Sequence, residues 1–282
     1  MHAIPIRTIK LPSGEEIPVL GQGTWGMAED SRRRADEIAA LRLGLDLGMT
    51  LIETSEMYAD GAAEELVAEA LAGRREEIFI VSNVLPSNAT RHGTAIACER
   101  SLQRLKTDRI DLYLLHWRGQ VPLEETLAAF IELVGAGKIR YWGVSNFNFS
   151  DLEELMAFPG GRDVAADQVL YNLTRRGIEY DLLPWCRKRR IPIMAYAPFE
   201  QGRLLGHHVL RHIADKYDAA PVQVALAWMF RHDDLSAIPR AGKRAHVIEN
   251  RSSLALNLAE EDLATLDRAF PPPTGSQPLE RF

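Results

Sequence analysis

Short apolar runs recur along the chain, separated by longer segments in which apolar residues return at intervals of three and four. The eight runs read PVLGQG, TLIETS, EIFIVSN, IDLYLLH, RYWGVSN, VAADQVL, IPIMAY and LSAIPR. Runs with this continuous apolar character are typical of parallel strands buried on both faces. Eight strands alternating with helices over roughly 250 residues predict an α/β fold of the (β/α)8 type, the TIM barrel.

Two of the intervening segments show helical spacing clearly. Their apolar residues are Ala95, Cys98, Leu102 and Leu105 in one, and Leu123, Leu127, Phe130, Ile131 and Val134 in the other. Near the start, RTIKLPSGEEIPV has Ser13-Gly14 at a turn and predicts a β-hairpin that caps the bottom of the barrel. The end, PPPTGSQPLERF, predicts an irregular tail. No linker interrupts the pattern, so we expect residues 1–282 to form one domain.

Composition narrows the class of protein. The chain has 282 residues, 46% of them hydrophobic, and a formal net charge of −6. Lysine and arginine are dispersed, which argues against a nucleic-acid partner. No segment has the length of a signal peptide or a membrane span, and the two cysteines give no disulfide framework. We therefore expect a cytoplasmic protein that acts on a small molecule, without a membrane partner.

Polar residues recur at or near the ends of the eight runs. With the glycine that ends the first run, the residues at these positions are Gly23, Thr24, Glu53, Asn83, His116, Ser145, Asn146, Gln168, Tyr196 and Arg240. The carboxyl ends of the strands form the face of a TIM barrel that carries active sites, so these residues predict a site there. Glu53 precedes Tyr58 by five residues, and a carboxyl group beside a phenol suits proton transfer.

Two local patterns point to other kinds of site. GQGTWG, residues 21–26, formally matches the glycine-rich dinucleotide fingerprint. That fingerprint requires a helix beginning within the motif, whereas here MAEDSRRR intervenes, and eight repeating units favour a barrel. His208 and His212 have the spacing of two zinc ligands on a helix. The middle glutamate and a third ligand are missing, so we expect a solvated helix face and no metal.

Longer motifs resemble the aldo-keto reductase family across nearly the whole chain. They include GQGTWG, ETSEMYADG, DLYLLHW, GKIRYWGVSNF, DQVLYN and IPRAGKRAHVIEN. The chain is most similar to small bacterial members of the methylglyoxal-reductase type. The resemblance implies a TIM barrel that binds NADPH or NADP+ across the carboxyl-terminal face and reduces aldehydes and ketones without a metal.

The resemblance also implies roles for individual residues. Tyr58 matches the proton-donating tyrosine and His116 the histidine that orients the carbonyl group. Those implied to contact the cofactor are Gly23, Thr24, Trp25, Ser145, Asn146, Gln168, Tyr196, Arg203, Leu204, Pro239, Arg240, His246, Glu249 and Asn250. Trp25, Trp117 and Phe199 flank strand ends and are expected to line the substrate pocket.

Within the implied cofactor set, the roles differ. Ser145, Asn146 and Gln168 match the residues that bind the nicotinamide carboxamide, and Tyr196 matches the aromatic that stacks on the ring. The adenosine end is matched by Arg240 at the 2′-phosphate and by Glu249 and Asn250 at the adenine. His246 stands where many members carry an arginine.

Two departures from the family pattern concern the residues around Tyr58. Glu53 stands where an aspartate is usual, and Asn83 stands where a lysine is usual. A unit charge at about 4 Å is worth roughly 4 kcal/mol at an effective dielectric of about 20, so losing the lysine disfavours ionised tyrosine. Burial without a cation raises the pKa of a carboxyl group, and a neutral Glu53 can donate a proton.

The expected activity is hydride transfer from NADPH to a small aldehyde or ketone, by a monomer or weak homodimer. Three alternatives stay open. In the first, the site reduces an imine or an activated alkene. In the second, it uses Glu53 for isomerisation or elimination. In the third, the protein binds NADPH as a regulatory module with little turnover. The catalytic set expected for the reductase is Tyr58, His116, Glu53 and Asn83.

Overall fold

The computed structural model describes residues 5–282, and within them the central feature is a ring of eight parallel strands. The order of the strands around the ring follows their order in the chain. The strands are β3 Gln22–Gly23, β4 Leu51–Glu53, β5 Phe79–Val84, β6 Ile110–Leu115, β7 Ile139–Ser145, β8 Asp167–Leu170, β9 Ile193–Tyr196 and β10 Leu235–Ala237. Each of the eight predicted runs therefore contains a strand.

The ring closes between its first and last strands. The backbone N–H of Gly21 donates to the carbonyl of Ala237 at 2.9 Å, and that of Gly23 donates to Pro239 at 3.1 Å. In return the N–H of Ala237 donates to the carbonyl of Val19 at 2.8 Å. The predicted (β/α)8 barrel is thus confirmed, and its closed form excludes the two-part sheet that the glycine-rich fingerprint would require.

Helices follow the strands and pack against the outside of the ring. They are α1 Arg34–Asp46, α2 Ala62–Leu71, α3 Arg91–Leu105, α4 Leu123–Gly135, α5 Phe149–Ala157, α6 Leu182–Arg189, α7 His208–Lys216, α8 Pro221–Met229, α9 Arg244–Ser252 and α10 Glu260–Ala269. Across residues 5–282, no helix combines the length and apolarity needed to cross a membrane.

Burial explains why the strand runs are apolar throughout. Every residue of β5 and β6 is buried, because one face fills the barrel and the other meets the helices. The apolar residues that showed helical spacing in α4 do not all lie on the buried face of that helix. Ile131 and Val134 are 45% and 40% exposed, whereas Leu133 is buried.

The predicted hairpin forms from β1 Thr8–Lys10 and β2 Glu16–Pro18, which pair antiparallel. Ile17 is fully buried, and the carboxylate of Glu15 accepts a hydrogen bond from the Tyr141 hydroxyl at 2.7 Å. Tyr141 lies near the start of β7. The hairpin therefore caps the amino-terminal end of the barrel, as predicted, and leaves the opposite end to the site.

Helix α1 and strand β3 are in such close contact that position 44 requires glycine, and this requirement can be tested. A Cβ atom at Gly44 would lie 2.0 Å from Oε1 of Gln22, whose amide donates to the carbonyls of Leu41 and Met49. We predict that Gly44→Ala destabilises the protein by about 2 kcal/mol, because overpacking outweighs the better helix propensity of alanine.

Gly135, at the end of α4, has nothing within 4 Å of the same position and provides the control. We expect Gly135→Ala to be neutral or stabilising by about 0.5 kcal/mol. Urea unfolding of both variants checks the pair. Equal stabilities for Gly44→Ala and the wild type would contradict the packing described here.

Candidate active site

A buried carboxyl group lies at the centre of the carboxyl-terminal end of the barrel. Glu53, the last residue of β4, is only 2% exposed. Its Oε1 atom accepts a hydrogen bond from the Tyr58 hydroxyl at 2.9 Å and another from Nδ2 of Asn83 at 3.0 Å. Asn83 also donates to the carbonyl of Thr54 at 2.8 Å, which fixes the amide orientation. The structure thus brings together three of the four residues predicted to be catalytic.

Burial controls the protonation of this group. It raises the pKa of Glu53 from 4.5 to about 7, although the hydrogen bonds from Tyr58 and Asn83 lower it. Within residues 5–282, no basic side chain forms an ion pair with Glu53 to offset the loss of water. Burial, followed by the charge of Glu53, raises the pKa of Tyr58 well above 10. Tyr58 therefore keeps its proton, and Glu53 exchanges one near neutral pH.

His116 follows β6 and adjoins the same cluster. Its ring lies edge-on to that of Tyr58, with 5.9 Å between centroids, and its Nδ1 is 3.3 Å from Oγ of Ser55. Burial lowers the pKa of His116 from 6.5 to about 4. The imidazole is consequently uncharged at neutral pH and acts through hydrogen bonding rather than through a positive charge.

The turn that carries Tyr58 has an unusual backbone. Ala59, Asp60 and Gly61 all adopt left-handed conformations, with φ angles of 49°, 53° and 90°. This conformation costs roughly 1–2 kcal/mol for each residue that has a Cβ atom. Surrounding contacts must therefore hold the turn, and with it the tyrosine, in place.

A second cluster continues from His116 around the barrel. Asn146, itself left-handed with a φ of 60°, donates to the carbonyl of His116 and to Oγ of Ser145, both at 3.0 Å. Its Oδ1 accepts a hydrogen bond from the Tyr196 hydroxyl at 2.9 Å. Gln168, which lies within β8 rather than at its end, is buried close enough to Glu53 to lower the pKa of that group, but its Nε2 forms no hydrogen bond of ordinary length within residues 5–282.

The residues predicted to contact the adenosine lie at the far end of the last barrel unit. Arg240 donates through Nη2 to the carbonyl of Gly26 at 3.0 Å and lies 3.7 Å from the Glu37 carboxylate. On α9, His246 is exposed, Glu249 is partly buried and Asn250 is 1% exposed. Pro239 precedes Arg240 and accepts the hydrogen bond from Gly23 that helps close the barrel.

A loop after β9 carries three further predicted residues. Phe199 is partly buried, Leu204 is 3% exposed, and Arg203 donates to the backbone carbonyl of Glu200 at 3.2 Å. Glu200 was not predicted, yet its buried carboxylate also accepts a hydrogen bond from Arg175 at 2.7 Å. Its role depends on contacts between separate loops, so the local sequence offers no signal for it.

The irregular tail also reaches this loop. The Phe282 ring is 6.5 Å from that of Tyr196, between centroids, and lies beneath the guanidinium of Arg203 at 5.7 Å. The tail was predicted to be irregular, and residues 271–282 indeed contain no helix or strand. Its position beside two predicted cofactor residues was not predicted.

The residues expected to line the substrate pocket differ in exposure. Trp25 is 51% exposed, and Trp117 is partly buried with its ring 4.9 Å from that of His116, between centroids. Thr24 is buried beside Trp25 and its hydroxyl has no partner among residues 5–282. Gly23 is required at its position, since a Cβ atom would lie 2.6 Å from the carbonyl of Ile238.

Two other polar groups do not join the site. Arg118, which follows Trp117, pairs with Asp151 at 3.0 Å and Glu154 at 2.6 Å. His208 and His212 are exposed on α7. No group of three or more potential metal ligands occurs in the described part of the chain.

Unpartnered buried donors test whether the site fits a dinucleotide. Nε2 of Gln168 and Nδ2 of Asn250 are buried without partners in residues 5–282, although a buried amide normally forms hydrogen bonds. One lies beside the Glu53 cluster and the other on α9. Acceptors on a carboxamide and on an adenine would satisfy them, so the residues present fit a nicotinamide dinucleotide.

Comparison with known proteins shows the family of this chain. Residues 19–270 match the model of the aldo/keto reductase family. The chain is 50% identical over 279 residues to methylglyoxal reductase YeaE of Escherichia coli strain K12, covering 97% of this chain and 98% of that protein. It is 32% identical over 260 residues to glyoxal reductase of Bacillus subtilis strain 168, covering 92% of this chain and 91% of that protein. The chain belongs to the aldo/keto reductase family.

Solved structures extend the likeness to three dimensions. A crystal structure of an aldo-keto reductase from Klebsiella pneumoniae in complex with NADPH superposes with a TM-score of 0.96 at 45% identity. The match covers 99% of this chain and all of that one. The whole described fold, including the hairpin and the tail, thus falls within the comparison.

The raised pKa of Glu53 predicts a pH-dependent stability. Its pKa is about 7 in the folded protein and 4.5 when unperturbed, so Glu53 contributes stability that is fully present below pH 4.5 and lost as pH rises through 7. Relative to Glu53→Gln, we expect the wild-type free energy of unfolding to fall by about 3 kcal/mol across that range.

Urea unfolding at a series of pH values measures this difference. Glu65→Gln removes an exposed carboxyl group from α2 and controls for the substitution itself. A difference between wild type and Glu53→Gln that does not change with pH would show that folding leaves the pKa of Glu53 unshifted.

Proposed function

We propose that this protein is an NADPH-dependent reductase of small aldehydes and ketones, with 1,2-dicarbonyl compounds such as methylglyoxal and glyoxal as its substrate class. Half of its residues are identical to those of a protein named methylglyoxal reductase, over nearly the full length of both. A relative in another bacterium is named glyoxal reductase. These names support the substrate class, and the geometry of the barrel end supports the chemistry.

The observation that carries the proposal is the contact between Tyr58 and Glu53. A phenol that keeps its proton donates to a carboxyl group whose pKa is about 7. Reduction of a carbonyl group requires one proton at the oxygen, delivered by an acid within hydrogen-bond reach. The pair holds such a proton beside a neutral histidine, where a small polar molecule finds hydrogen-bond donors.

Residues spread across the barrel end would hold the cofactor. Ser145, Asn146 and Gln168 would bind the carboxamide, Tyr196 would pack against the nicotinamide, and Arg240 would bind the 2′-phosphate. When bound, NADPH supplies the hydride for the carbonyl carbon. The chain positions the cofactor and substrate; it does not itself transfer electrons.

Proton delivery involves both members of the pair. Tyr58 donates its proton to the carbonyl oxygen while His116 orients that oxygen through a hydrogen bond. Below pH 7, protonated Glu53 then passes its proton to the Tyr58 oxygen, so the one negative charge left by the reaction rests on the carboxylate rather than on the phenolate. This relay replaces the stabilisation that a cation would otherwise provide.

Glu53 and Asn83 depart from the aspartate and lysine that similar reductases usually carry. We regard the two residues as one coupled change, since Asn83 donates to the Glu53 carboxyl group and is too short and uncharged to act as the lysine does. The set of four proposed catalytic residues is therefore atypical in composition but retains the proton-donating tyrosine and the histidine.

One observation favours a second candidate activity. A carboxylic acid that is neutral near pH 7 is a stronger acid than a phenol, and so suits protonation of an imine or an activated alkene after hydride addition. The two candidates share a cofactor and differ in substrate.

A direct assay tests the proposed function. We predict that the purified protein oxidises NADPH faster with methylglyoxal than with simple imines or enones at matched concentration, as followed by absorbance. No turnover with any carbonyl compound, together with tight NADPH binding, would instead favour the regulatory alternative.

Cofactor preference supplies a second prediction. We expect NADPH to bind more tightly than NADH, and Arg240→Met to weaken NADPH binding about tenfold, because a charged contact to phosphate is lost. Binding of NADH, which lacks the phosphate, should stay within twofold and serves as the internal control. Fluorescence titration gives all four dissociation constants, and equal wild-type values for the two cofactors would refute the assignment of Arg240.

The proposed role of Glu53 and Asn83 supplies a third prediction. We predict that Asn83→Lys raises kcat/KM for methylglyoxal at pH 8 about tenfold, because a positive charge there stabilises ionised Tyr58. Asn83→Met introduces a long side chain without the charge and is the matched control. If the two variants perform equally, the charge at position 83 does not limit the reaction.

A further inference from the structure

The turn after Tyr58 is held from outside the barrel by an arginine. A Cβ atom on Gly61 would lie 2.5 Å from Nε of Arg104, so the guanidinium end of this side chain lies directly against the Gly61 backbone. Gly61 is the third of the three left-handed residues that follow Tyr58. Arg104 comes from the end of α3 and thus connects a rigid helix to the strained turn.

A buried glutamate fixes that arginine. Nε of Arg104 donates to Oε2 of Glu64 at 2.6 Å, and Glu64 is completely buried in the first turn of α2. Its other oxygen, Oε1, accepts a hydrogen bond from Oγ of Ser82 at 2.7 Å. A buried carboxylate with one cation and one hydroxyl keeps a defined geometry, because either partner's loss leaves an uncompensated charge.

Ser82 links this network to the reacting groups. It immediately precedes Asn83 in β5, and adjacent residues of a strand point to opposite faces. Asn83 therefore donates to Glu53 inside the barrel, while Ser82 donates to Glu64 outside it. The same outer network thus contacts both the strand that bears Asn83 and the turn that bears Tyr58.

We infer that Arg104 and Glu64 are positioning residues for catalysis: they hold the Tyr58 turn in register with β5, so that the phenol stays on Glu53. This inference rests on the proposed role of Tyr58. It extends the functional unit beyond the residues that touch substrate or cofactor to an ion pair on the outer face of the strands.

The test compares two arginines that contact buried acids at opposite ends of the same strands. Arg75 pairs with Asp111 at 2.8 Å, and Asp111 is 1% exposed near the start of β6. Arg75→Met therefore removes an ion pair far from Tyr58 and leaves Asp111 its second pair, with Arg140 at 3.0 Å. We expect both Arg104→Met and Arg75→Met to lower the unfolding temperature.

Only Arg104→Met should affect the reaction. We expect its kcat for methylglyoxal to fall at least about tenfold, because small displacements of a reacting group have large effects on rate, while its dissociation constant for NADPH stays within twofold. Arg75→Met should keep wild-type kcat. Loss of stability without loss of kcat in Arg104→Met would overturn the inference, since the pair would then be merely structural.

Hydrogen exchange gives a readout that does not depend on turnover. Amides of residues 58–62 should exchange faster in Arg104→Met than in wild type, and at the wild-type rate in Arg75→Met. Unchanged exchange in Arg104→Met overturns the inference even if the protein proves to reduce no carbonyl compound, so the two failures are distinguishable. Glu64→Gln keeps the shape and the contact to Ser82, and should reproduce both effects more weakly if Arg104→Met does not fold.

Discussion

A carboxyl group buried without a cation is the constraint on which the rest of the site depends. Removing Glu53 from water is unfavourable for its charged form, and two hydrogen bonds offset only part of that cost. The result is a group that binds a proton near neutral pH and shares an oxygen between Tyr58 and Asn83. Each proposed property of the site, from proton relay to the effect of a lysine at position 83, follows from that one environment.

The barrel supplies this environment through the lengths and pairing of its strands. β4 ends at Glu53 and pairs with β5 in a register that sets Glu53 opposite Val81, which brings Asn83 within reach two residues later. The hairpin covers the other end, which leaves the carboxyl ends of the strands open for the site. Long-range contacts then complete the site, with Glu200 securing the loop after β9 and Arg104 securing the turn after Tyr58.

Much of the fold could be predicted from the sequence, because strands buried on both faces leave a continuous apolar signal that helices interrupt regularly. The candidate residues at the strand ends followed from the topology and from the family resemblance. The left-handed turn at residues 59–61 could not be predicted, since alanine, at position 59, is not a type that favours it. The contacts of Arg104 and Phe282 join segments distant in sequence, and no local pattern indicates such pairs.

The protonation state of Glu53 is the central claim, and infrared spectroscopy measures it directly. The wild-type minus Glu53→Gln difference spectrum contains the carboxyl stretching band of Glu53 and can be recorded through a pH titration. A protonated carboxyl band that disappears with a midpoint near pH 7 is the result predicted here. A carboxylate band that persists down to pH 5 would contradict it, because Glu53 would then be an ordinary ionised residue despite its burial.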